Sequence, residues 1–174
     1  IPMFAAYQPL PTLAIGALMA VTGSLIKPIV LFKTSIVLAW ALMPWAWFQG
    51  ARWYGLGTTF SVILGFLTLT IQDPFNVGFG IETSTEKGLY TQHFGLLFFP
   101  LFVGSFRRYF DGKTDRLSVP AGFFALTLMS HLWVGLYAAI VGIALLAVEW
   151  RRAWARIREL MMIAGVVFLL VAWW

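Results

Sequence analysis

The run LSVPAGFFALTLMSHLWVGLYAAIVGIALLAV, residues 117–148, holds only two ionisable side chains, His131 and Tyr137. As one straight helix it would extend about 48 Å at roughly 1.5 Å per residue. That is well beyond a hydrocarbon layer of about 30 Å. Ser130-His131 lies near its middle and is its only strongly polar pair. A hydroxyl and an imidazole can bond the amides and carbonyls freed where helices end. The run is therefore expected to form two short limbs that meet and reverse near His131.

The flanking charges ask for the same reversal. Arg107, Arg108, Lys113 and Arg116 precede the run, and Arg151, Arg152, Arg156 and Arg158 follow it, eight of the 12 Lys and Arg. Basic residues of short membrane-flanking segments collect in the cytoplasm. An even number of crossings must then separate the two groups, which two limbs satisfy and one span does not. Counting back, residues 72–92 face outside, Arg52 faces the cytoplasm, and Lys27 and Lys33 face outside.

Composition points to the same class. The chain is 60% hydrophobic and 11% charged, with a mean hydropathy of +0.84. Soluble domains carry roughly 25% charged residues. Between residues 29 and 71 the only ionisable groups are Lys33, Arg52 and Tyr54. The expectation is an all-α polytopic transmembrane helix bundle of about six to seven membrane helices, some short or broken. Residues 1–174 form a single transmembrane domain, integral to a bacterial inner (cytoplasmic) membrane and in contact with membrane lipid. The opening at Ile1, without Met or a cleavage signature, and the close on Trp173-Trp174 lead to the expectation of an internal portion of a longer protein, or the ordered part of one. The net charge of +5 is not a nucleic-acid signature, because the cations sit in short segments between apolar runs rather than on one basic face. With no cysteine, disulfides, thiolate metal sites and Cys nucleophiles are excluded.

Further spans are expected at residues 11–26, 29–48, 56–71, 93–106 and from 160 to the end. Segment 11–26 is short and bracketed by Pro9, Pro11 and Pro28, so it either spans or lies along the external interface. Segment 29–48 gathers Trp40, Trp45 and Trp47 towards its end, as expected at an interface. Residues 72–92 form the longest polar stretch, and residues 149–159 a basic loop.

Few residues stand out for chemistry. His131 is an ionisable group within an apolar segment, a costly placement that is a functional hypothesis by default. It either bonds backbone at a helix break, contacts a polar substrate or lipid phosphate, or ligates a pigment or metal. His93 opens a span, where interfacial His is common. A metal shared by the two would need Glu82 or Glu86 as a further donor, and no ligand spacing specifies such a site. Asp73, Glu82 and Glu86 either supply a general base or hold a divalent cation beside a phosphate, or simply solvate a loop. Gly78-Phe79-Gly80 is not a phosphate fingerprint, since no strand precedes it. The basic loops set topology and touch anionic lipid.

Tyr7-Gln8-Pro9-Leu10-Pro11, followed by a small-residue apolar helix, resembles the Y-x-P-L-P element of polytopic type C glycosyltransferases. More particularly it resembles membrane proteins related to 6-pyruvoyl-tetrahydropterin synthase. The order downstream is also similar: paired apolar spans, a Gly-rich loop leading into Gly88-Leu89-Tyr90, and an apolar span ending in basic residues. Ser130-His131 within an apolar segment, a basic loop and a Trp-rich span follow. The resemblance implies transfer of a sugar from a polyprenyl-phosphate donor at the external face. It makes His131, Glu82, Glu86, Tyr90 and His93 the substrate-binding candidates. The family's catalytic acid lies in a first external loop that would precede Ile1, so no residue here is its counterpart.

A second reading comes from a different class. Nine Trp and 16 Phe give aromatic surface for packing against helices, lipid or pigment. The chain would then be a non-catalytic subunit of a photosynthetic or respiratory complex, partnered by other membrane subunits. His131, flanked by Gly135, Ala138 and Ala139, would leave room for a chlorophyll-type pigment.

Overall fold

The computed structural model describes residues 9–23, 25–71, 79–80, 90–114 and 116–172. Among them the chain is all-α, with eight helices and no strand: α1 (Pro9–Val21), α2 (Pro28–Tyr54), α3 (Thr58–Thr70), α4 (Tyr90–Phe110), α5 (Ser118–Ser130), α6 (Leu132–Val148), α7 (Trp150–Ala155) and α8 (Ile157–Val171). Pro9 and Pro11 sit in the first turn of α1, and Pro28 opens α2, where a missing N–H costs nothing. α2 ends at Gly55, φ 108°, whose N–H returns to the Ala51 and Arg52 carbonyls. A side chain would be strained in that left-handed cap. With 27 residues, α2 is long and apolar enough to cross a membrane, and among the described residues it alone meets both conditions.

α4 is the central helix, with 12 of its 21 residues buried. It runs parallel to α2. Phe32 meets the Tyr90 ring at one end, and Trp53 lies beside Gly104 towards the other. The two backbones cross at Gly50 and Gly104: a Cβ on Gly50 would overlap the Pro100 carbonyl, and one on Gly104 would overlap the Gly50 carbonyl. Only glycine permits that approach. Pro100 has no N–H, so the Leu96 carbonyl one turn earlier loses its helical donor. The Trp47 indole N–H donates to that carbonyl at 3.1 Å. α3 folds back on α2 with Gly65 against the Pro44 carbonyl.

The 117–148 run does break and reverse. α5 descends antiparallel to α4, with Phe124 stacked on Phe102 at 4.8 Å. α6 returns beside α4, with Gly142 near Phe102 and Glu149 bonded to Arg107. Between them His131 alone is extended, φ −159° and ψ 116°. Its Cβ faces Gly95, and Gly135 closes the hairpin by packing on Leu128. Ala121, Ala125 and Ala138 join Phe102, Phe106 and Phe110 in the main core, which Ile163 and Val167 of α8 complete.

The reversal carries both basic segments to one end. Arg107 pairs with Glu149 at 2.9 Å and with Asp111 at 3.2 Å. Arg152 reaches Glu149 at 3.3 Å and Asp111 at 3.7 Å. Arg156 donates to the Tyr109 carbonyl at 2.9 Å.

Several boundaries differ from the sequence expectation. Arg52, Arg107 and Arg108 lie within α2 and α4 rather than in loops: Arg52 is exposed, Arg107 is neutralised by Asp111 and Glu149, and Arg108 lies over the Trp53 ring. Residues 149–159, expected as a loop, are largely α7 and the first turn of α8. The first helix starts at Pro9 and stops at Val21, with Gly23 left-handed at φ 59°.

Two substitutions test the crossing. Gly104→Val should lower stability by about 3 kcal/mol or more, because the added atoms meet backbone that cannot rotate away. Trp47→Phe keeps a ring but leaves the Leu96 carbonyl unbonded, at a cost of about 1–3 kcal/mol. Thermal melts of the purified variants read both, and unchanged melting would contradict the arrangement.

Candidate functional site

The end opposite the basic cluster holds Tyr90, His93 and His131. His131 ends one helix and starts the next. Its N–H donates to the Thr127 carbonyl at 3.0 Å, and its carbonyl accepts from Gly135 N–H at 2.9 Å. Its Nδ1 accepts from Val134 N–H at 3.4 Å, an N-cap for α6. An accepting Nδ1 is unprotonated, so the neutral ring carries its proton on Nε2. The backbone-bonding role expected of this residue is therefore present in the geometry, and the ring as a whole is buried.

His93 is fully buried on α4, and its Nε2 lies 3.2 Å from the Phe79 carbonyl. A carbonyl only accepts, so Nε2–H donates and that nitrogen is not open to a metal. Phe79 also meets the Trp47 ring edge-on, centroids 5.4 Å apart. His93 thus pins this point of the polar 72–92 stretch onto α4. Tyr90 packs its ring at 4.8 Å against Phe32.

Glu82 and Glu86, with Asp73, Tyr7, Gln8, Gly88 and Leu89, lie outside the described residues. Among the described residues no three His, Cys, Asp or Glu side chains gather in a way that could hold a metal ion. Beside His131, Gly135 meets Leu128 and Ala138 is completely buried in the core, so these two small residues serve helix contact, while Ala139 is half-buried.

Sequence reasoning missed a pocket at the basic end, between Trp53 and the cations of residues 108–116. Trp53 and Arg108 are far apart in the chain, and only the parallel α2–α4 crossing brings them together, at 5.9 Å. Trp53 next to Arg52 at a helix end was the one available signal.

The capping geometry makes a prediction. Asn can cap a helix as His131 does, whereas Ala cannot, at a cost of about 1 kcal/mol. His131→Ala should melt measurably lower than the parent, and His131→Asn close to it. Equal destabilisation by both would contradict a capping role.

Compared with protein families, curated proteins and solved structures, the chain matches none.

Proposed function

We propose that the chain is a multi-pass integral membrane protein, its basic end in the cytoplasm and its Tyr90–His93–His131 end outside. The apolar faces of α3, α6 and α8 support this, since Phe60, Phe66, Ile143, Phe168 and Leu169 are all more than half exposed. Buried hydroxyls support it as well. Ser61, Thr68, Ser105, Thr127 and Ser130 each bond a carbonyl of their own helix or its cap, as polar groups must where water is absent. α2 and α4 have 27 and 21 residues, the length of a full crossing. α3, α5 and α6, with 13, 13 and 17 residues, pack beside them as shorter limbs between the same two ends.

Within that placement we propose the membrane-embedded portion of a glycosyltransferase-like protein that binds a polyprenyl-phosphate-linked sugar at the external face. The observation that carries it is the hairpin apex. His131 stands at the non-basic end, against Gly95 on the face of α4 away from His93, with a neutral ring whose Nε2–H suits a phosphate oxygen. The acid and base of transfer would come from residues such as Glu82 and Glu86. A non-catalytic membrane subunit is the second reading. It is favoured by the commitment of a nitrogen of both His93 and His131 to backbone bonds.

Two measurements follow. The chain has no native Cys, so single-Cys variants report cleanly. Lys113→Cys and Arg151→Cys should label only from the cytoplasmic side, and Leu25→Cys only from outside; labelling of Lys113→Cys and Leu25→Cys from one side would refute the placement. For activity, His131→Asn should keep the hairpin yet reduce transfer from a polyprenyl-phosphate sugar by about tenfold or more. Unaltered transfer would remove His131 from the substrate site, and absence of transfer in the parent protein would favour the subunit reading.

A further inference from the structure

At the basic end a cavity of about 250 Å³ opens between α2, α4 and the start of α5. Arg108, Lys113 and Arg116 line it, with Trp53, Ser105 and Val119. The three cations are not equally engaged. Lys113 pairs with Asp111 at 3.2 Å, a carboxylate that also serves Arg107 and Arg152. Arg108 instead lies over the Trp53 ring. Neither Arg108 nor Arg116 forms an ion pair among the described residues. A guanidinium held by stacking still presents its planar fork of donors, the geometry that suits a phosphate.

Val119 also belongs to a second feature, an apolar groove along α5 formed with Gly122, Phe123 and Leu126. These residues recur at helical spacing and share one face. Gly122 has no neighbour within 4 Å of where a Cβ would stand. The Phe123 ring lies 6.2 Å from Trp53, so the indole joins cavity to groove. Cations, then an indole, then an apolar track are the order in which a membrane lipid presents phosphate, glycerol and acyl chain. A soluble anion would use the cavity and leave the groove without purpose.

We infer that cavity and groove form one site for an anionic phospholipid of the cytoplasmic leaflet. Its phosphate lies between Arg108 and Arg116, and one acyl chain lies along residues 119–126. The inference rests on the membrane placement proposed above, and basic pockets between helices on this side of a membrane recognise such headgroups.

The test uses the detergent-purified chain with three probes: dioleoyl-phosphatidylglycerol, dioleoyl-phosphatidylcholine and inorganic phosphate. Native mass spectrometry counts retained lipid, and thermal melts report stabilisation. Phosphatidylglycerol should be retained and should raise the melting temperature, while the other two should not. Arg108→Gln with Arg116→Gln should weaken retention by about tenfold or more. Gly122→Leu, which fills the groove and leaves the cations, should also weaken it. Arg151→Gln with Arg158→Gln, outside the cavity, should not. Equal stabilisation by inorganic phosphate, equal loss with Arg151→Gln and Arg158→Gln, or unchanged retention in Gly122→Leu would each overturn the lipid site. Recovery of the chain in the aqueous phase without detergent would overturn the membrane placement itself, a distinguishable failure.

Discussion

The Leu96 carbonyl has lost its helical partner to Pro100, and the Trp47 indole N–H stands in for it from the neighbouring helix. That bond and the Gly50–Gly104 contact lie within about two turns of each other on the α2–α4 crossing. One is directional and the other steric, so together they fix both the spacing and the register of the two helices. With the register fixed, Phe79 is received between Trp47 and His93 at one end. At the other end Trp53 is delivered to Arg108. Gly95 faces outward from the same helix and accepts the His131 apex. Each later feature is therefore a consequence of where α4 lies against α2.

Polar satisfaction explains why the remaining elements can be so short. A helix end leaves up to four amides or four carbonyls unpaired, and a hairpin with a single extended residue between its limbs leaves many of them close together. Thr127, His131, Val134 and Gly135 settle part of that deficit among themselves. At the far end the same role falls to charge. Asp111 and Glu149 each serve more than one arginine, so α4, α6 and α7 are tied where the apolar core stops. These pairs are partly exposed, and exposed pairs contribute modestly to stability. Their larger consequence is to keep two basic segments on one side.

Much of this was legible in the chain. The excess length of residues 117–148 and the charge parity across them located a reversal at Ser130-His131, because both depend on spacing along the sequence. The helix ends were harder to place. Arg52, Arg107 and Arg108 look like loop residues to a reading that stops helices at charges, yet α2 carries Arg52 exposed and α4 carries Arg107 and Arg108 half-buried beside buried aromatic rings. The paired functions of Pro100 with Trp47 and of Gly50 with Gly104 were not legible, since they depend on which helices cross. The same holds for the cavity beside Trp53. Among the proposed site residues, His131 was conspicuous as a lone polar group, whereas the attachment of His93 to Phe79 required the folded contact.

The reversal at His131 brings the ends of α4 and α6 together, and both the basic end and the opposite apex depend on it. Double substitution of Arg107→Cys with Glu149→Cys in the cysteine-free chain places two thiols on the helix ends that an ion pair of 2.9 Å now joins. A bifunctional thiol reagent about as long as the two side chains it replaces, on the order of 10 Å, should join them efficiently. A control pair, Arg107→Cys with Val134→Cys, sits at opposite ends of the α4–α6 contact and should not join. Efficient crosslinking in the control and none in the first pair would show that α6 does not return beside α4, and would contradict the reversal.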